Sequence, residues 1–128
     1  MTKFYNVFGE SEMKITIYHN PKCSNSRGAL ALIREAGHAP DVIEYLNTPL
    51  SRAELAALVA RMGVSVRDVV RTKEAVFAEL GLDGASEEAL LDAMAAHPVL
   101  VNRPIVVTAR GARLCRPPEL VMELLGAG

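Results

Sequence analysis

The chain has 128 residues, of which 50% are hydrophobic and 23% charged, with a formal net charge of −1. That is one compact domain's worth of chain with enough apolar residues for a sizeable core, and a near-neutral balance gives no general attraction to nucleic acid or an anionic membrane. No apolar run is long enough to span a bilayer and no signal-peptide core opens the chain, so a cytoplasmic protein is expected, with its two cysteines as reduced thiols.

Residues 1–13 are polar with scattered aromatics and no clear period. They read as an N-terminal extension, either disordered or upstream of a true start at Met13, with residues 14–128 forming a single domain. The first strand is Ile15-Thr16-Ile17-Tyr18-His19, ended by Asn20-Pro21. Cys23 then stands where a helical pattern carrying Ala29, Leu30, Leu32 and Ile33 begins. A cysteine there is chemically special, because the unpaired N–H groups and positive dipole of a helix start favour a thiolate and draw an anion beside it. Ser26 is placed for its hydroxyl to reach the sulfur, and His19 and Arg27 add positive or proton-accepting character. Cys23 is therefore read as a nucleophile in preference to a small core residue.

Gly37 ends the helix and Asp41–Leu46 forms a second extended run, which makes a βαβ unit with Cys23 at the carboxyl end of its strand. A helical block follows. Ser51-Arg52-Ala53-Glu54 is a capping box for a helix closed by Gly63, and Ser65-Val66-Arg67-Asp68 repeats the pattern. A segment around Phe77 and Leu80 stops at Gly81, and Ser86 opens a helix that runs to His97-Pro98. The last third offers two strands about the turn Ala109-Arg110-Gly111, then a helix after Arg116-Pro117-Pro118-Glu119. A βαβ half and a ββα half separated by helices is the thioredoxin-like α/β arrangement, a four-stranded mixed sheet with a helical insertion. Pro104, just before the third strand, is where that arrangement commonly carries a cis proline.

The surroundings of Cys23 exclude two chemistries. A dithiol motif needs a second cysteine at position 26, which is Ser26, and a cysteine-phosphatase loop needs an arginine at position 29, which is Ala29. What remains is a lone thiolate that passes its oxidised state to Cys115 or to an external thiol. Arg71, Arg103 and Arg116 come from separate segments and suit a tetrahedral oxyanion, since the guanidinium fork stays charged and binds bidentately. Arg103 and Arg116 stand out beside proline at element boundaries, whereas spacing alone does not separate Arg71 from Arg67.

Four segments together carry a resemblance: His19–Arg27, Gly63–Arg71, Asn102–Thr108 and Leu114–Glu119. From about Lys14 to Leu125 the chain resembles the glutaredoxin-coupled arsenate reductases. The resemblance implies that Cys23 attacks arsenate held by Arg71, Arg103 and Arg116, and that His19 and Ser26 favour the thiolate. It implies glutathione as co-substrate, glutaredoxin as the reducing partner, no metal and no tightly bound cofactor. It selects Arg71 over Arg67 and makes Cys115 a buried bystander. The extension at 1–13 and the end of the chain soon after the last helix depart from the family pattern without touching these residues. A monomer is expected. Other readings are a paralogue acting on a different substrate, a thiol-sensing regulator that binds RNA polymerase, and a glutaredoxin-like carrier. The regulator and the carrier would typically use a second cysteine where Ser26 stands.

Overall fold

A computed structural model describes residues 13–126. The expected extension at 1–13 falls outside them except for Met13. The described chain divides into two compact units, one formed by residues up to Glu44 together with those from Arg103 onward, the other by Tyr45–Asn102.

The first unit holds β1 (Thr16–His19), α1 (Ser24–Glu35), β2 (Asp41–Glu44), β3 (Ile105–Thr108), β4 (Gly111–Leu114) and α5 (Val121–Leu125). The sheet order is β2-β1-β3-β4. β1 and β2 run parallel with Ile17 opposite Val42, while β1 with β3 and β3 with β4 are antiparallel. This is the expected mixed sheet, with the βαβ crossover first and the hairpin second. Alternation on β1 buries Ile17 and His19 on one face, and β2 is an exposed edge strand whose Val42 is 37% exposed.

The apolar stripe of α1, Ala29, Leu30 and Ile33, packs with Ile15, Ile17, Val106, Cys115, Val121, Leu124 and Leu125 as one core. Thr108 closes the hairpin side from within: its hydroxyl donates to the Leu124 carbonyl at 2.9 Å and accepts from the Arg110 N–H at 3.0 Å. Gly28 lets α1 lie directly on the 3-10 turn Pro118–Leu120, because a Cβ at position 28 would stand 3.0 Å from the Pro118 ring. The final helix starts later than Pro117-Pro118 suggests; those prolines open the 3-10 turn and the α-helix begins at Val121.

The second unit is helical: α2 (Arg52–Met62), α3 (Ala75–Glu79) and α4 (Glu87–Ala96), with 3-10 turns at Val66–Val69 and Pro98–Leu100. Both halves of the capping box at Ser51 and Glu54 form, and Gly63 ends α2 at φ 70°. Ser65 and Asp68 make the second box, around a 3-10 turn in place of a longer helix. Ser86 caps α4 through the Ala89 N–H. The segment after β2 is not strand: Tyr45 is buried, its hydroxyl donating to the Val101 carbonyl at 3.3 Å, while Leu46 is exposed. Val70 and Val101 form an isolated antiparallel bridge.

Candidate active site

Cys23 is the N-cap residue of α1, with extended backbone (φ −96°, ψ 124°) and a buried side chain at 8% exposure. Its own N–H donates to the Asn20 carbonyl at 3.0 Å, which closes the turn after β1 and fixes the cysteine at the helix mouth. Asn20 also accepts from the Lys22 N–H at 2.9 Å, so Asn20-Pro21 forms an Asx-type turn. The sulfur makes no formal capping bond. Burial pushes the Cys23 thiol up, but the Ser26 N–H, the Arg103 guanidinium by hydrogen bond and by charge, and the Asn25 N–H together outweigh it. The thiol is held below its ordinary value.

Two guanidiniums thus reach the sulfur. Arg116 Nη1 stands 3.7 Å from Cys23 Sγ and donates to the Arg103 carbonyl at 3.0 Å, which ties the two arginine segments together. The peptide bonds Arg103–Pro104 and Arg116–Pro117 are both cis, the first at the expected position and the second not foreseen in the sequence. Arg27, expected near the sulfur, donates from Nη1 to the Pro21 carbonyl at 2.9 Å and braces the turn.

His19 and Ser26 meet, though not as the sequence suggests. Ser26 is fully buried, and its hydroxyl lies 2.6 Å from His19 Nδ1 and accepts from the Asn20 N–H at 3.0 Å. The hydroxyl expected to face the sulfur is occupied by these partners, and Ser26 acts on Cys23 through its backbone N–H. The difference follows from the helix start: at the third helical position the N–H points out of the helix mouth while the side chain folds back toward the preceding strand. Burial lowers the His19 pKa, Glu44 opposes this, and Arg34 and Arg27 reinforce it, so the ring is neutral near pH 7.

Cys115 has a different environment. It is fully buried in the core, its thiol within 3.7 Å of the Arg113 carbonyl, and burial raises its pKa to about 12. It stays a neutral thiol beside Arg116.

Within the helical unit, Arg71 Nε pairs with Glu74 at 3.0 Å and Nη1 donates to the Asn102 amide oxygen at 3.4 Å. Its backbone N–H donates to the Leu100 carbonyl at 2.8 Å. Arg67, its rival on spacing, donates to the Ala85 carbonyl and serves that unit's own structure.

The sequence singled out no role for Asn25. Its amide, in the orientation that gives both oxygen and nitrogen a partner, accepts from Arg116 Nη1 and Nη2 at 3.2 Å each. Its only sequence signal is its place two residues after Cys23. Among the described residues, no group of three or more His, Cys, Asp or Glu side chains is arranged to hold a metal, and no helix is long and apolar enough to cross a membrane.

A thioredoxin-like sheet with a lone, charge-supported thiol at a helix N-terminus defines a class of thiol-dependent α/β proteins. Residues 18–124 match the ArsC family, and the chain belongs to it. An arsenate reductase of Rhizobium meliloti is 56% identical over 115 residues, 88% of this chain and 82% of the relative. An arsenate reductase of Escherichia coli K12 is 52% identical over 113 residues, 87% and 80% of the two chains. The solved structure of an arsenate reductase from Vibrio cholerae superposes with a TM-score of 0.84 at 50% identity, covering 88% of this chain and 98% of that one.

Proposed function

We propose that the chain is an enzyme that reduces arsenate to arsenite with glutathione and glutaredoxin. The observation that carries this reading is the Cys23 thiol, held below its ordinary pKa at the mouth of α1 with Arg103 and Arg116 at the sulfur. Arsenate is a tetrahedral oxyanion, and two guanidiniums beside a helix N-terminus are the groups that bind one. Relatives named arsenate reductase at 52–56% identity support the substrate.

The Cys23 thiolate attacks arsenic and displaces one As–OH group, which takes up a proton from solvent and leaves as water, so that a Cys23 S–As(V) adduct forms. Arg103 and Arg116 neutralise the remaining oxygens, and Arg71 is the third oxyanion ligand by resemblance. Glutathione thiolate then attacks the Cys23 sulfur. The S–As bond breaks with its electron pair going to arsenic, which leaves as arsenite, and a Cys23–glutathione disulfide remains. Glutaredoxin thiolate attacks the glutathione sulfur and returns Cys23 as a thiolate.

An external thiol donor is favoured over Cys115 because that thiol is buried and its pKa stands near 12, which leaves almost no thiolate to attack a disulfide at neutral pH. His19 and the Ser26 hydroxyl hold the turn that presents Cys23, and the Ser26 N–H supports the thiolate. The proposed site needs no metal or resident cofactor, and the reaction suits a reducing cytoplasm and a monomer.

The test is arsenate-dependent NADPH oxidation with glutathione, glutathione reductase and glutaredoxin, run with and without glutaredoxin and with Cys23→Ala as the blank. Turnover that needs both glutaredoxin and Cys23 is expected. Equal turnover by Cys23→Ala, or none by the folded wild type, refutes the reading.

A further inference from the structure

Arg116 is exposed, and its hydrogen-bond partners among the described residues are the Asn25 amide oxygen, the Arg103 carbonyl and the Cys23 sulfur. None is a carboxylate. A long side chain of this kind would otherwise sample many rotamers, and each rotamer that leaves the sulfur removes one arm of an anion cradle. Both Nη atoms converge on the one oxygen of Asn25, at 3.2 Å each. That geometry fixes the plane of the guanidinium as well as its position. Asn25 lies in the first turn of α1, and its own N–H is among the groups that support the Cys23 thiolate. The same residue therefore sets the sulfur with its backbone and the guanidinium with its side chain.

We propose that Asn25 is a positioning residue, an amide clamp that holds Arg116 over Cys23. An amide suits the task because it accepts two hydrogen bonds without neutralising the guanidinium, whereas a carboxylate there would pair with Arg116 and repel an incoming anion. The anion it serves rests on the arsenate reading above, but the clamp can be tested without turnover.

Cys23 is alkylated with iodoacetamide across a pH series, with and without arsenate, in four proteins: wild type, Asn25→Ala, Arg116→Ala and the double variant. Asn25→Ala keeps the backbone N–H, so any change arises from the lost side chain. The expected result is an alkylation midpoint about half a pH unit higher and arsenate protection about tenfold weaker. Both changes should vanish when Arg116 is already alanine. Asn25→Asp should weaken protection further still. The clamp is overturned by an unchanged midpoint and protection in Asn25→Ala, or by the same changes in the Arg116→Ala background. Wild-type Cys23 that arsenate does not protect would count against the arsenate reading, while the ligand-free midpoint across the four proteins still decides the clamp.

Discussion

Ser26→Ala separates two ways in which this serine can serve Cys23. The hydroxyl is fully buried between the His19 ring at 2.6 Å and the Asn20 N–H at 3.0 Å, and both of those residues are themselves buried. Alanine deletes the oxygen and leaves room too small for a water to replace it well. Each buried polar group so orphaned costs about 1–3 kcal/mol, so the pair is expected to cost about 2–6 kcal/mol. Set against a total of about 5–15 kcal/mol for a domain, that is severe but survivable. The backbone N–H of residue 26 and the Arg103 guanidinium, which hold the thiol down, remain. Urea unfolding should therefore show the stability loss, while the pH midpoint of Cys23 alkylation moves by less than about half a unit. A stability change under about 0.5 kcal/mol would refute the buried network. A midpoint raised by more than about one unit would refute the backbone origin of the thiolate.

Further outcomes follow from the core. Cys115 has an ordinary pKa of 9.0 and a folded value of about 12. The unfolded chain therefore loses this proton first as pH rises, and between pH 9 and 12 the group subtracts about 1.4 kcal/mol of stability per pH unit. Below pH 9 it has no effect, and Cys115→Ala should flatten the alkaline limb of urea stability measured against pH. Thr108→Val is nearly isosteric but orphans the Leu124 carbonyl and the Arg110 N–H, so urea unfolding should register a loss of about 1–3 kcal/mol. A neutral result would place water at those groups.

Much of this was legible because it is local. The β-branched run at Ile15–Ile17, the turn at Asn20-Pro21 and the apolar stripe of α1 together put Cys23 at a strand's carboxyl end and a helix's start, and the capping boxes at Ser51 and Ser65 marked their own elements. The same local logic misread Tyr45 as strand, because its burial comes from the distant Val101 carbonyl. It also aimed the Ser26 hydroxyl at the sulfur, since spacing gives proximity but not which group of a residue faces a neighbour. Asn25 stayed invisible for a different reason: its partner lies at the far end of the chain, and an asparagine early in a helix is common on capping grounds alone. Of the arginines, Arg103 and Arg116 were betrayed by their prolines. Arg71 was distinguished from Arg67 only by resemblance, and within its own unit it is engaged by Glu74 and Asn102.

Gly28 has a bearing on how freely this protein can be altered. The Pro118 ring occupies the space that any larger residue at position 28 would claim, and Pro118 follows Arg116 by two residues. The backbone of the helix that carries the nucleophile thus lies against the Pro118 ring of the segment that carries the guanidinium, with no side chain on the helix at that point to take up slack. Replacing a helical glycine is ordinarily a cheap way to stiffen a protein. Here the added methyl group would act as a wedge between the two halves of the cradle, so a stabilising programme that treats position 28 as a routine target would trade catalytic alignment for rigidity.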